Sequence, residues 1–480
     1  MATSPPGRGP DRDYRILDKD LARITNAERA AQASSRPLLR LGLAMVLVAT
    51  LAEFAATALA GQPALGVMAA AVAVAIYLAL SIGANDVANA LGPAVGAGAI
   101  GLGAGLVTVA AMDVLGAVVA GEAVTRTLTA GLVGNKLGDG MPTAEMMLAA
   151  LVAAASWISV ATWLDAPVST THSVVGAIAG AGIATLGWDS VHWPALARIA
   201  LGWVVSPLVA GGLAAALLAS LHRHVLDRDD PIPGGRNWLT ALVAAAAGVL
   251  ALTTGLALQG PGLPAVLAAS LAAAGAGALW ARLMLARQIR LHTPEGVALK
   301  HLLGPPLVVA ALALGFGHGA NDTSNVAAPL SIILGRIGAS PGPLLGPQVV
   351  LLLSGLGIAA GIVLFGGRLV RMVGGRITRL NPARALCVSM ATAMTVLGFS
   401  MLGLPVSTTH LAVGGVFGVG FWREWRDRRR HRHATPLPAE EIRRRRLVRR
   451  SHLRTILTAW LITVPLNAAI AAALVLALGL

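Results

Sequence analysis

Charged side chains are scarce in this sequence, and their scarcity narrows the class of protein. Only 12% of the 480 residues are charged, whereas soluble domains carry about 25%. Aromatic residues make up 4%, and Cys387 is the single cysteine, so an intrachain disulfide is impossible and a cysteine-based metal centre lacks ligands. What is abundant is small and apolar, including 56 glycines. Small residues let helices approach closely in lipid, so the composition predicts an integral membrane protein.

Long apolar segments recur along the chain. A helix that crosses the hydrocarbon core needs about 20 mainly apolar residues. Nine segments meet this requirement: 38–60, 64–82, 99–121, 199–221, 238–258, 264–285, 299–316, 344–367 and 455–479. Four shorter pieces form two pairs, each interrupted by a proline-containing polar turn: 144–163 with 168–187, and 385–403 with 406–422. We interpret each pair as a re-entrant hairpin that returns to its own side, which predicts an all-α polytopic membrane protein.

The basic residues predict the orientation. A net charge of +15 is compatible with a nucleic-acid partner, but the cations are concentrated in loops, as the positive-inside rule describes. They cluster in five segments: 8–40, 223–236, 282–300, 368–384 and 423–454. With nine spans and two returning hairpins, all five lie on one side. We therefore expect a bacterial inner-membrane protein with a cytoplasmic N-terminus, in contact with membrane lipid and without a nucleic-acid partner.

Two motifs occur twice. Gly83-Ala-Asn-Asp-Val-Ala-Asn89 recurs as Gly319-Ala-Asn-Asp-Thr-Ser-Asn325, 236 residues later. Pro167-Val-Ser-Thr-Thr-His172 recurs as Pro405-Val-Ser-Thr-Thr-His410, 238 residues later. In the predicted topology the two copies enter from opposite sides of the membrane. The halves are therefore expected to be inverted repeats, which in secondary transporters hold the substrate near the membrane midplane.

The repeats divide the chain into domains. In chain order these are a cytoplasmic N-terminal tail at 1–36, an additional membrane helix at 37–63, a first transport repeat at 64–222, a linker with two inserted membrane helices at 223–298, and a second repeat at 299–479 that contains a basic cytoplasmic loop at 423–454. The inserted pair at 238–285 has no counterpart elsewhere in the sequence.

The first duplicated motif places acids and amides inside the membrane. Its polar residues are Asn85, Asp86, Asn89, Asn321, Asp322 and Asn325. A carboxylate in an apolar segment costs about 2.5–3.5 kcal/mol on insertion scales, so two symmetric copies favour a function. Oxygen ligands suit Na⁺, which we expect at Asp86 and Asp322, and a protonatable carboxylate suits H⁺. The alternative is that these residues only cap helices broken at Gly83 and Gly319.

The second duplicated motif predicts an anion site. Each proline precedes an apolar helix, whose first turn carries the hydroxyl residues Ser169, Thr170, Thr171, Ser407, Thr408 and Thr409. Free N–H groups and the positive end of the helix dipole attract anions there. Hydroxyl groups add hydrogen bonds without a fixed charge, which suits an oxyanion carrying one or two negative charges. Ordinary N-capping is the compatible structural alternative.

Three further residues are candidates for a coupling or accessory role. Asp113 lies in the middle of an apolar span, where a carboxylate is costly. His172 and His410 follow the hydroxyl triplets and either approach the anion or bond a neighbouring hairpin, and the sequence favours neither reading. Glu122 and Arg126 are four residues apart, the spacing of an ion pair on a helix at the external rim.

At these motifs the chain resembles the inorganic phosphate transporter family, which includes bacterial low-affinity phosphate carriers and eukaryotic sodium–phosphate symporters. The family's GANDxxN and P-[VI]-S-x-T-H segments occur in both halves, and the resemblance covers roughly 64–222 and 299–479. It implies phosphate uptake coupled to Na⁺ or H⁺, with the two Ser-Thr-Thr triplets on the phosphate. The residues that it implies for cation binding are Asn85, Asp86, Asn321 and Asp322.

The sequence departs from the family pattern in two places. Asp113 stands where animal members carry a glutamate, and Ser389 stands where a matching acid is expected in the second half. Animal members also have a long cytoplasmic loop where this chain has the two inserted helices. The missing acid at Ser389 bears on the coupling ion and its stoichiometry.

The predicted function is secondary active transport of phosphate by cation symport with alternating access. It needs no covalent chemistry and no cofactor besides the coupling ion, so the chain is not expected to be an enzyme, and a homo-oligomer is compatible with it. The main alternative is a permease for sulfate or another tetrahedral oxyanion. A channel is disfavoured because channels close a pore about the membrane normal, and a hydrolase is disfavoured because a duplicated Ser169 at opposed hairpin tips makes little chemical sense.

Overall fold

The computed structural model describes residues 15–59, 61, 65–132, 141–164, 168–258, 260–292, 298–336, 346–374, 381–430 and 450–479. Pro167 and most of the basic loop at 423–454 lie outside them. Every regular element in the described ranges is helical. The helices of five residues or more that carry labels below are α1 (Arg15–Ala58), α2 (Leu65–Gly96), α3 (Leu102–Ala120), α4 (Glu122–Gly131), α5 (Met141–Trp163), α6 (Thr170–Leu186), α7 (Trp193–Leu221), α8 (Pro231–Ala257), α9 (Leu263–His292), α10 (Leu299–Asp322), α11 (Ser324–Arg336), α12 (Pro347–Phe365), α13 (Gly367–Met372), α14 (Pro382–Met401), α15 (Thr408–Arg430) and α16 (Arg450–Leu478).

The helices confirm the predicted all-α membrane fold. Eleven stretches of the described chain are long and apolar enough to cross a membrane. Nine of them correspond to the predicted spans, and the other two are α5 and α14, the first arms of the predicted hairpins. The second arms differ from a full span, because α6 has 17 residues and α15 becomes strongly basic towards its end. Two compact units are present: Met1–Leu47 holds most of α1, and Val48–Leu480 holds all the other helices.

Several helices of one half pack on helices of the other half, in reciprocal pairs. Helix α2 of the first half packs on α12 of the second, while α10 of the second packs on α3 of the first. In the same way α6 packs on α16, and α15 packs on α7. Such reciprocal pairing is what a duplicated membrane unit produces, whereas the inversion of one half across the membrane remains a prediction.

Glycine permits the closest of these contacts. The Cα of Gly83 in α2 lies against the backbone carbonyl of Ile358 in α12, and a Cβ added there overlaps that carbonyl. Gly319 in α10 lies against the carbonyl of Asp113 in α3 in the same way. The glycine that opens each Gly-Ala-Asn-Asp motif is therefore required for the approach of two helices.

The two copies of that motif differ in helix continuity. Helix α2 runs unbroken from Leu65 to Gly96 through the first copy, whereas α10 ends at Asp322 and α11 starts at Ser324. In the second copy the hydroxyl of Ser324 donates to the carbonyl oxygen of Asn321 at 2.6 Å, and Thr323 between the two helices keeps helical dihedral angles. The first copy has Ala88 at that position. Capping of a broken helix therefore does not explain the polar residues of the first copy.

The inserted helices belong to the compact unit Val48–Leu480, which is called the membrane unit below. Helices α8 and α9 form an antiparallel pair, in which the hydroxyl of Ser270 donates to the carbonyl oxygen of Gly248 at 2.8 Å. Helix α8 also packs on α10, the helix that carries the second Gly-Ala-Asn-Asp motif. The inserted helices therefore pack against the helix that carries the second motif.

Candidate functional site

The starts of α6 and α15 meet in the interior of the membrane unit. Helix α6 begins at Thr170 and α15 at Thr408, and both threonines are buried. The hydroxyl oxygen of Ser169 accepts from the backbone N–H of His172 at 3.2 Å, and that of Ser407 accepts from the N–H of His410 at 3.3 Å. Both serines are thus N-caps, the role that the structural alternative assigned to them.

The third hydroxyl of each triplet crosses to the other half of the chain. Thr171 Oγ1 lies 3.3 Å from Asp322 Oδ1 and 3.3 Å from the carbonyl oxygen of Val406. Thr409 Oγ1 lies 3.5 Å from Asp86 Oδ1 and 3.5 Å from the carbonyl oxygen of Val168. Each helix start therefore contacts the aspartate and the turn of the opposite repeat. The crossing brings both predicted sites to one place.

Two amides of the first motif also form hydrogen bonds to the opposite half of the chain. Asn89 Nδ2 donates to Thr409 Oγ1 at 2.9 Å, and Asn325 Nδ2 donates to Thr171 Oγ1 at 3.4 Å. Asn325 Nδ2 also lies 3.0 Å from Asp322 Oδ1. Asn325 thus connects Asp322 to Thr171, whereas Asn89 bonds the hydroxyl that itself contacts Asp86.

The other two amides position the turns. Asn85 Nδ2 donates to Thr162 Oγ1 at 2.9 Å, near the end of α5. Asn321 Nδ2 donates to the carbonyl oxygen of Val406 at 2.6 Å, and its Oδ1 accepts from the N–H of Val406 at 3.2 Å. Asn321 Oδ1 also accepts from the hydroxyl of Ser400 at 3.4 Å. The contacts of Asn321 resemble a backbone pairing that holds the second turn against α10.

A histidine that the sequence reading did not select lies among the acids. His318 Nδ1 bonds Asp113 Oδ1, and its Nε2 lies 3.3 Å from Asp322 Oδ2 and 3.8 Å from Asp86 Oδ2. The exposed fraction of these four side chains is 5% or less. The sequence signal for it is an ionisable residue two positions after the apolar span 299–316 and one helical turn before Asp322. The first copy has Ile82 at the matching position.

The acids around His318 form a candidate site for a cation or a proton. Three buried carboxylates surround one imidazole, and an uncompensated buried charge is strongly unfavourable. Ligand atoms of Asp86, His318 and Asp322 lie within 4.8 Å of one another. Asn325 Oδ1 is buried beside them and has no hydrogen-bond partner among the described residues. Oxygen donors of this kind suit a small hard cation or a proton.

The two predicted histidines lie behind the triplets. The ring centroids of His172 and His410 are 4.4 Å apart, edge to face. His172 also packs on Trp203 at 3.8 Å and His410 on Trp460 at 3.5 Å. In the described structure no hydrogen bond or ion pair joins either ring to Asp86. Each ring therefore contacts the neighbouring hairpin, and its approach to the anion stays a prediction.

The predicted rim pair is present. Arg126 Nε donates to Glu122 Oε1 at 3.1 Å, and both side chains are well exposed. A cavity of about 180 Å³ lies beside them and reaches inward to Ala320 and Ser400. Thr253 of the inserted helix α8 lines the same cavity. Because Ser400 bonds Asn321, the cavity leads from the rim to the second turn.

Comparison with known proteins places these features in a family. The model of the phosphate transporter family matches residues 82–471. A Helicobacter pylori strain J99 protein assigned as a phosphate permease is 32% identical, with 96% of this chain and 99% of that protein aligned. The inorganic phosphate transporter 2-1 of Arabidopsis thaliana chloroplasts is 32% identical over 82% of this chain and 69% of its own length.

A solved structure agrees with the sequence comparison. The structure described as the sodium-dependent phosphate transporter superposes with a TM-score of 0.74 at 31% identity, covering 86% of this chain and 99% of that chain. These relatives are transporters and permeases rather than enzymes. The chain belongs to the phosphate transporter family.

Proposed function

We propose that this chain carries inorganic phosphate across the membrane together with Na⁺ or H⁺, by alternating access. The observation that carries the proposal is the reciprocal contact of Thr171 with Asp322 and of Thr409 with Asp86. Two helix starts that attract anions thereby share one buried site with two acids that attract cations. Na⁺ is the first candidate ion, because the superposed solved structure is named as sodium-dependent.

The anion would lie between the two helix starts. The first N–H groups of an α-helix have no acceptor within the helix, so those at Thr170 and Thr408 are available to an oxyanion. The hydroxyls of the triplets add donors around it. A phosphate that is partly protonated also presents a donor of its own, for which a carboxylate oxygen is a suitable acceptor. Sulfate has no such proton, and this difference favours phosphate.

The hydroxyl groups give a physical basis for coupling. A threonine hydroxyl carries one proton, and here the hydroxyl of Thr171 directs it to Asp322 or to the neighbouring carbonyl oxygen of Val406. When a cation binds the carboxylate, that proton is free to turn towards the anion. Cation binding then strengthens anion binding, and by thermodynamic linkage the anion strengthens cation binding by the same factor. Symport follows from this mutual dependence.

The transport cycle would expose the site to one side at a time. The site lies at the contact between the two halves, so a rocking of one half against the other opens it alternately. The cavity beside Glu122 and Arg126 supports a route on the side that we predict to be external.

Uptake into proteoliposomes tests the proposal. We expect radiolabelled phosphate to accumulate under an inward Na⁺ gradient or an inward H⁺ gradient, with arsenate competing better than sulfate. Uptake that is independent of both gradients would refute symport. Stronger competition by sulfate than by arsenate would change the assigned substrate. In direct binding measurements the preferred cation should raise phosphate affinity. Thr171→Val should remove most of that increase, whereas Thr185→Val, later in the same helix, should leave it intact.

A further inference from the structure

A long apolar groove lies on the side of the unit away from the acids. It runs between α7, α15 and α16, encloses about 1240 Å³, and has His172 and His410 at its inner end. Among the described residues that line it there is no Asp, Glu, Lys or Arg. Its walls are aromatic and aliphatic, and include Trp203, Leu208, Phe417, Trp422, Trp460 and Leu461.

The groove is as long as one membrane leaflet. Helix α15 lines it with residues three and four apart, from His410 at the inner end to Trp425 at the outer end. Fifteen residues of α-helix rise about 22 Å. Half of a bilayer, headgroups included, is about 20–22 Å thick. A groove of this length accommodates extended acyl chains from the headgroup region to the middle of the membrane.

Two exposed arginines lie where the groove ends. The stripe that lines the groove on α15 continues at Arg428 and Arg429, which are exposed. Arg426 is bound by Asp227 at 2.6 Å, but Arg428 and Arg429 have no carboxylate partner among the described residues. The guanidinium carbon of Arg429 lies 4.3 Å from the ring centre of Trp425. Tryptophan beside arginine is typical of the headgroup level of a membrane.

We propose that the groove binds one anionic phospholipid, with its acyl chains along α15 and its headgroup phosphate on Arg428 and Arg429. An apolar channel that ends in uncompensated cations is complementary to such a lipid in both length and charge. A zwitterionic lipid fits the channel but brings no net charge to the arginines.

Charge disfavours the other candidates for the groove. The chain's own segment 431–449 carries six arginines and two glutamates, so it is repelled by the basic end. A second copy joined by a two-fold axis along the same face would bring its own Arg428 and Arg429 close to these. Like charges would then oppose each other across the contact.

Native mass spectrometry of the full-length chain tests the site, with phosphatidylglycerol and phosphatidylcholine added in equal amounts. We expect one retained phosphatidylglycerol. The double variant Arg428→Gln with Arg429→Gln should lower its affinity roughly 25-fold, since each cation near an anionic surface contributes about fivefold, and should leave phosphatidylcholine unchanged. The matched control changes Arg287 and Arg290, exposed at the end of α9, to glutamine and should have no effect.

A second variant blocks the apolar part. Gly212 of α7 lines the groove, and a Cβ added there meets nothing within 4 Å, so Gly212→Leu fills the channel without disturbing a helix contact. It should displace both lipids, whereas Gly275→Leu on exposed α9, also with nothing within 4 Å, should displace neither. Equal retention of the two lipids by the native chain, or full phosphatidylglycerol binding by either groove variant, would overturn the proposal. A dimer that Gly212→Leu dissociates would instead assign the groove to a second copy, and the lipid site would be wrong.

Discussion

The two copies of the Gly-Ala-Asn-Asp motif have equivalent neighbours but different charges. Each opening glycine lies against the backbone of a helix from the other half, and each aspartate contacts a threonine of the other half. The second copy alone is preceded by a histidine, His318, where the first has Ile82. The first half instead supplies Asp113, which bonds that histidine. The duplication therefore repeats the geometry of the motif in both halves. The imidazole of His318, which compensates the carboxylates, occurs once and is shared by them.

The strongest test of this asymmetry is His318→Ile, which gives the second copy the residue of the first. Three buried carboxylates would then lose their imidazole, and removing one partner of a buried ion pair costs about 3–5 kcal/mol. We expect a clear fall in the apparent melting temperature in detergent and uptake at background level. His318→Gln keeps a hydrogen-bond donor for Asp113 and should restore part of the stability. Native stability of the isoleucine variant would show that the imidazole does not compensate the acids.

The next largest effect is expected at the aspartates, and it should be unequal. Each carboxylate accepts from two neutral donors, Asp322 from Thr171 and Asn325 and Asp86 from Thr170 at 2.9 Å and Thr409 at 3.5 Å. They differ in their distance from the imidazole of His318, which is 3.3 Å for Asp322 and 3.8 Å for Asp86. Asp322→Asn should therefore lower cation-driven phosphate uptake about a hundredfold or more, the scale of one buried charged partner. Asp86→Asn should lower it less.

Exposed Asp229→Asn is the matched control for this pair and should transport normally. Initial uptake rates, normalised to the amount of protein in the vesicles, separate the three variants. Equal losses at the two aspartates would mean that the shared histidine gives neither copy an advantage.

The repeated residues of the candidate site can be selected from the sequence, whereas the unrepeated His318 cannot. Apolar length was sufficient for the spans, and duplication made Asp86, Asp322 and both triplets stand out. His318 carries no such signal, because it lies beyond the end of the apolar span at Phe316 and the first copy has Ile82 in its place. Its bond to Asp113 joins residues 205 apart on different helices, and such pairs depend on packing that periodicity does not specify.

Alanine variants of Gly83 and Gly319, the opening glycines of the two motifs, should differ less from each other than the aspartate variants do. A Cβ at Gly319 meets the carbonyl of Asp113, and a Cβ at Gly83 meets that of Ile358. Overpacking of this kind costs about 1–3 kcal/mol, so both alanine variants should melt earlier. Only Gly319→Ala shifts Asp113, the partner of His318, and only it should raise the cation concentration needed for half-maximal uptake. Gly275→Ala, in open space on α9, should not lower the melting temperature, and the same cation requirement in both motif variants would contradict the prediction.

The smallest effect concerns the hydroxyls that join the copies. Asn89 Nδ2 lies 2.9 Å from Thr409 Oγ1, whereas Asn325 Nδ2 lies 3.4 Å from Thr171 Oγ1. A hydrogen bond of normal length contributes about 1 kcal/mol, so Thr409→Val should weaken phosphate binding about fivefold. Double-mutant cycles with Asn89→Ala and with Asn325→Ala measure the two links directly, since only partners in contact depart from additivity. We expect the larger interaction energy for Thr409 with Asn89, because the shorter bond is the stronger one. Equal energies would mean that the two asparagine–threonine bonds are alike and that the asymmetry is confined to the charges around His318.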